Sequence, residues 1–265
     1  MAGKGRSLHW LEVGLLRVAP VLSISVVLIA WEAFADLSGI SPLTLPAPSR
    51  VFVQAIQHAD ALFDNAMPTL EATLFGFAAS IACAFVLSVL VDFIDGLRAA
   101  LFPIFIASQT LPLVAIAPLV VLWFGFGLAP KIILVAFMTF FPMLVAMVQG
   151  YAGTEPEIEQ LLRSMGASRR KVFLLARLPS ALPFVFAGIR ISITYAVVGA
   201  IFAEYAGSAK GLGIYILNAK NNFRPDLVLA AVGVSATLTL MLFGVTLVAQ
   251  RLAMPWLRVA GEAKR

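Results

Sequence analysis

Charge is scarce in this chain. Only 12% of its 265 residues are Asp, Glu, Lys or Arg, while 61% belong to the set AVILMFWYC. A soluble domain carries about a quarter charged residues, so this surface could not be dressed for water. Cysteine is almost missing: Cys83 stands alone, which excludes an intrachain disulfide. His9 and His58 are the only histidines, too few and too far apart for a metal cluster. No G-x-x-x-x-G-K-[ST] phosphate loop occurs, so any ATP hydrolysis belongs to another polypeptide. No Ser-His-Asp set suggests itself either. The expectation is a chain without catalytic residues, metal or cofactor of its own. Polar low-complexity linkers and internal repeats are also lacking, which predicts a single membrane domain.

Long apolar runs are what the chain does have. Mean hydropathy is +0.96. About 20 apolar residues cross a bilayer as a helix, and six runs qualify, at roughly 18–38, 68–92, 99–123, 131–151, 184–205 and 227–250. They are unalternating, so helices rather than barrel strands are expected: an all-α, polytopic membrane fold. Of the nineteen cations, thirteen fall on one set of connections and five on the other, with Arg190 inside a span. The excess marks the cytoplasmic side, which accounts for the net charge of +5 without nucleic acid. Both termini (1–17 and 251–265) and the connection 152–183 are thereby placed in the cytoplasm, around a membrane domain at 18–250. Lys4, Arg6 and Arg17, an apolar run and Ala33-Phe34-Ala35 also fit a cleaved secretory signal; Glu32 interrupts the approach and favours a retained first span. Segment 45–68 is less apolar and reads as an external connection with an amphipathic helix after Pro48 and Ser49.

The most informative interruption is EQLLRSMGASRRKVFLLARLP, residues 159–179. Thr154 and Glu157 have capping-box spacing for a first short helix. Ile158, Leu161, Leu162 and Met165 share one of its faces. Gly166 permits a left-handed turn, and Ser168 is placed to cap a second helix offering Val172, Phe173 and Leu175. Pro179 and Pro183 mark the expected return to the membrane. A basic amphipathic elbow of this kind suits anionic lipid and a protein partner equally well.

Gly166, followed after eleven residues by Leu178-Pro179, resembles the cytoplasmic loop of bacterial ABC-importer permeases, whose pattern is E-A-A, three residues, Gly, nine residues, Ile, one residue, Leu-Pro. Gln160, Leu161 and Leu162 occupy the E-A-A positions, and Ala176 replaces the Ile. The departure at Gln160 removes a carboxylate from that position, although Glu159 is adjacent. LPAPSRVF (45–52), QTLPLVAIAPLVVLWFGFGLAPK (109–131), LRSMGASRRKVF (162–173), LPSALPFVFAGIRI (178–191) and AEYAGSAKGLG (203–213) resemble the nitrate/sulfonate/taurine branch in the same order. The resemblance implies the type I ABC-importer (MetI-like) permease fold in a bacterial inner membrane. It further implies two permease copies forming a symmetric dimer, two ATPase subunits that bind ATP and Mg, and an extracytoplasmic solute-binding protein. Coupling to the ATPase then falls to Glu159, Gln160, Leu161, Leu162, Arg163, Met165, Gly166, Ala167, Ser168, Arg169, Val172, Phe173, Leu178 and Pro179. The forms LLRSMGA, AEYAGSAKGLGIYI and NNFRPDLV lean towards permeases for thiamine-pyrimidine precursors or riboflavin, with sulfonate, taurine and nitrate open.

For the translocation path, Ser108, Gln109 and Thr110 place three polar side chains in an apolar run, followed by Pro112 and Pro118. The alternative is a plain proline kink. Glu204 and Tyr205 fit either an external gate or an interfacial carboxylate near Lys210. Segment 204–216, with three glycines, is expected as a re-entrant or gate loop, and LWFGFG (122–127) as an interfacial anchor. Arg190 reads as a snorkelling side chain. The rival function, an ion-coupled secondary transporter, would need carboxylates at mid-membrane; Glu32, Asp36, Glu71, Asp92 and Glu204 lie near expected span ends.

Overall fold

The computed structural model describes the backbone of residues 4–255 and the side chains from position 21 onward. Among these residues every regular element is helical: α1 (Lys4–Leu37), α2 (Pro48–Gln57), α3 (Ala59–Phe93), α4 (Leu97–Gln109), α5 (Leu113–Phe124), α6 (Leu128–Ala152), α7 (Pro156–Ser164), α8 (Arg169–Val172), a π-turn (Phe173–Arg177), α9 (Leu178–Gly207), α10 (Leu212–Asn221) and α11 (Pro225–Ala253). The expected N-terminal tail is helical from Lys4, and the end of the C-terminal tail, 256–265, lies outside the described residues.

Among the described residues four helices are long and apolar enough to cross a membrane: α3, α6, α11, and the 39-residue run Arg169–Gly207. The expected first span lies in α1. The expected span over 99–123 is not one rod. It is the pair α4 and α5, bent by 100°. Pro112 explains the break: it has no N–H for a helical bond, and it drives Leu111 before it out of the helical region. The prolines of the elbow behave in the opposite way. Pro179 and Pro183 do not interrupt the chain, because α8, the π-turn and α9 run on continuously. Pro179 can offer no N–H to Leu175, and the widened π-turn just before it absorbs that missing bond. The second span also starts earlier than expected, at Ala59; of the polar residues in its first turns, Asn65 meets the α9–α10 loop described below.

The core is built where α3, α6 and α9 pack against one another. Small residues let them approach closely, the usual means of helix association where lipid removes the hydrophobic drive. A Cβ on Gly188 would lie 2.6 Å from that of Ala146, one on Gly150 2.7 Å from that of Ala181, and one on Gly76 2.5 Å from that of Val135. Ala72, Leu144, Ala196 and Ala200 are fully buried in the same layer. Leu240, Val245 and Leu252 of α11 point outward, as a lipid-facing wall requires. The predicted amphipathic helix is α2, with Pro48 at its first turn; Glu32 of α1 accepts hydrogen bonds from the backbone N–H of Ser49 (2.9 Å) and from its hydroxyl.

Candidate functional site: the α7 elbow and the α9–α10 loop

Helix α7 ends as its sequence demands. Gly166 has φ +79°, the Ala167 N–H donates to the Leu162 carbonyl and the Gly166 N–H to the Arg163 carbonyl, both at 2.9 Å. That pair of bonds is the Schellman closure, which needs the left-handed residue. Nothing lies within 4 Å of a Cβ built on Gly166, so the requirement is conformational and not steric. Ser168 then caps α8, its hydroxyl accepting from the Lys171 N–H at 3.4 Å. The expected Thr154–Glu157 capping box does not form. Glu155 is the N-cap, Pro156 takes the first helical position, and the Thr154 hydroxyl is buried without a partner among the described residues.

The apolar face of α7 is uncovered. Ile158, Leu161 and Met165 are 42%, 62% and 75% exposed, with Gln160 and Arg163 also at the surface and Leu162 half-buried. Val172 and Phe173 behave differently: both are buried, so their apolar contacts are with this chain. Phe173 stacks against Phe93 at the end of α3 and Tyr151 at the end of α6, with ring centres 5.4 and 5.2 Å apart. Leu175 stays exposed, Leu178 half-buried and Pro179 exposed.

An ionic clamp, which sequence reasoning missed, secures the elbow. The Arg177 guanidinium donates to both Glu159 carboxylate oxygens (2.6 and 2.9 Å) and to Asp92 (2.5 Å) at the end of α3. Arg169 donates to the Asp92 carbonyl (2.8 Å) and to Asp95 (3.2 Å), and lies over the Phe93 ring. The Arg177 hydrogen bonds hold the Glu159 carboxyl below its usual range, outweighing its partial burial. An acid ending an apolar span and an arginine just before Leu178-Pro179 were the available signals.

At the opposite end of the bundle the GSAKGLG segment folds onto Glu204. This carboxylate is fully buried; it accepts from Thr69 (2.9 Å) and from the Gly213 N–H (2.7 Å), and Lys131 approaches to 3.6 Å. Its cationic partner is thus Lys131 and not Lys210, whose backbone carbonyl accepts from Lys131 at 3.2 Å. The Gly211 N–H donates to Asn65 (3.0 Å) and the Leu212 N–H to Thr69 (2.8 Å). Gly211 has φ +140°, and a Cβ there would sit 2.1 Å from the Glu204 carboxyl carbon. Only glycine fits. Tyr205 is 38% exposed beside this knot.

Ser108, Gln109 and Thr110 lie at the α4–α5 bend, where the Ser108 and Thr110 hydroxyls donate to the carbonyls of Phe105 and Ala107, each at 2.7 Å. Gln109 and Thr110 are exposed. The structure brings the residues expected to couple together around one elbow; the five residues expected along a path fall into two separate groups, at the bend and at the α9–α10 loop.

A polytopic helical bundle with a broken span, an uncovered amphipathic elbow and a glycine-stitched loop at the other end has the build of a membrane permease. Residues 95–254 match the family described as "binding-protein-dependent transport system inner membrane component", and the chain belongs to it: it is a permease subunit of an ABC importer and not an enzyme. It is similar to the formylaminopyrimidine transport permease protein ThiX of Halalkalibacterium halodurans, 32% identical over 89% of this chain and 95% of that one. It is also similar to the riboflavin transport system permease protein RibX of Chloroflexus aurantiacus (34%, 94% and 91%) and the taurine transport system permease protein TauC of Escherichia coli (30%, 88% and 88%). In fold it is similar to a chain of a solved amino acid ABC transporter, with TM-score 0.61 and 13% identity over 76% of this chain and 97% of that one.

Proposed function

We propose that ATPase subunits dock on the α7 elbow, that their motion on binding ATP and Mg opens and closes a solute path, and that the path lies between two copies of this chain. One observation carries this reading. Ile158, Leu161 and Met165 form an apolar stripe on a short helix at the edge of the bundle, and among the described residues Leu161 and Met165 are left largely uncovered. Such a stripe is a helix seeking a groove. Its cytoplasmic position follows the cation distribution, which also places both termini there. The bend at Gln109–Pro112 exposes polar groups within an otherwise apolar span. Backbone of this kind suits a wall shared with protein or water, hence a path and a second copy. A solute-binding protein delivers cargo at the Glu204 end.

For cargo, two full-length relatives named for a formylaminopyrimidine and for riboflavin support a nitrogen heterocycle over taurine or a sulfonate. Gentle solubilisation and affinity purification should recover an ATPase in stoichiometric amount, and Leu161→Asp should release it. Recovery of the wild-type chain without an ATPase would refute the docking reading. Uptake of labelled formylaminopyrimidine, riboflavin and taurine by membranes carrying the complex then ranks the cargo; transport of taurine alone would overturn the heterocycle assignment.

A further inference from the structure

Resting on the docking reading, we propose that Arg177 is a positioning residue that yokes α7 to α3, so that a push on the elbow moves the α3 end as well as α9. Arg177 joins three elements through one side chain, and Arg169 of α8 adds a separate tie to the α3 end at the Asp92 carbonyl and Asp95. Arg177 belongs to the π-turn leading into α9, Glu159 to α7 and Asp92 to α3. The Glu159 arm is bidentate, which fixes orientation as well as distance. Without the clamp, α7 would be held by its flanking turns and by the partial burial of Ile158 and Leu162, since Leu161 and Met165 stay largely exposed among the described residues.

The clamp stands in wet surroundings. Two cavities, about 370 and 430 Å³, both have Asp92 and Arg177 in their walls. The Arg177, Glu159 and Asp92 side chains retain 24%, 16% and 9% exposure. Water can therefore replace either arm when the elbow moves. The two arms are also separable: losing Asp92 leaves α7 tied to α9, whereas losing Glu159 frees α7 from both.

Hydrogen–deuterium exchange on the purified complex of this chain with its ATPase subunits reads that difference. Vanadate trapping of the wild type should change exchange at α7, at 173–177 and at 88–93. In Asp92→Asn the change at 88–93 should fall at least threefold while that at 173–177 persists. In Glu159→Gln both should fall, and Glu159→Asp should restore part of each. A general loss of structure would raise exchange throughout and erase the contrast between the two variants, which would overturn the proposal. So would a response of wild-type size at 88–93 in Asp92→Asn. Failure of the ATPase to copurify with the wild type is a different result: it removes the docking reading and the yoke together.

Discussion

The two ends of the bundle are fastened by charged side chains in opposite ways. At the α9–α10 loop, Glu204 is fully buried, Lys131 nearly so, and the remaining bonds come from backbone N–H groups and Thr69. At the elbow the Arg177 and Glu159 side chains keep 24% and 16% exposure, Asp92 is as buried as Lys131, and Arg169 pairs with Asp95, whose side chain is 93% exposed. Removing one partner of a buried pair strands the other charge, at a cost of about 3–5 kcal/mol. An exposed pair such as Arg169–Asp95 contributes about 0–1 kcal/mol and weakens with salt. Breaking the Glu204 end therefore costs more than parting the exposed Arg169–Asp95 pair, with the Arg177 clamp between the two.

The largest test of that contrast is Glu204→Ala. It should destabilise the chain by about 3–5 kcal/mol, seen as a lowered Tm in detergent, because Lys131 is left buried and unpaired. Gly211→Ala should act in the same direction through the overlap with Glu204. A Tm within one or two degrees of wild type for both would erase the difference between the ends. Next comes Gly166→Ala, which places a side chain in the left-handed region at about 1–2 kcal/mol. Since no neighbour obstructs it, the Tm of the bundle should hold while ATPase recovery falls. Ser168→Ala should loosen the start of α8 by about 1 kcal/mol, read as faster exchange of the Arg170 and Lys171 amides.

The smallest effect expected is a pH dependence of the elbow. The folded Glu159 carboxyl titrates below its ordinary value, so its contribution is complete above about pH 4.3. It is lost as pH falls through the lower folded value. Exchange at α7 should be flat from neutral pH down to that region and rise beneath it, once corrected for intrinsic rates. A rise already present near pH 6 would place the sensitivity elsewhere.

Much of this was readable from residue order. Apolar length predicts the spans; Gly166 and Ser168, with their neighbours, predict the elbow's turn and cap; and Gly211 and Gly213 predict an unusual loop. These features depend on local geometry, which sequence encodes directly. What was missed has two causes, local accommodation and distant partners. Pro179, read as marking the return to the membrane, sits inside a continuous helix because a π-turn accommodates it, and the kink read at Pro112 is a 100° break. Thr154 has capping spacing, but its hydroxyl is buried beside a helix that starts at Pro156. Asp92 and Arg177 are 85 positions apart, and Thr69 and Glu204 are 135 apart. No spacing rule in a single chain joins them.

One feature of the fold joins both ends mechanically. Arg177 and Glu204 stand on the same unbroken run of helix, about 40 Å apart at 1.5 Å per residue. With the Glu204 end pinned, that run is a lever with a fixed pivot. A tilt of only about 5° there would sweep the elbow by about 3–4 Å, since arc length scales with the arm. Small strokes at the elbow need no bending in mid-membrane, and the π-turn next to Arg177 is the natural place for any slack to be taken up.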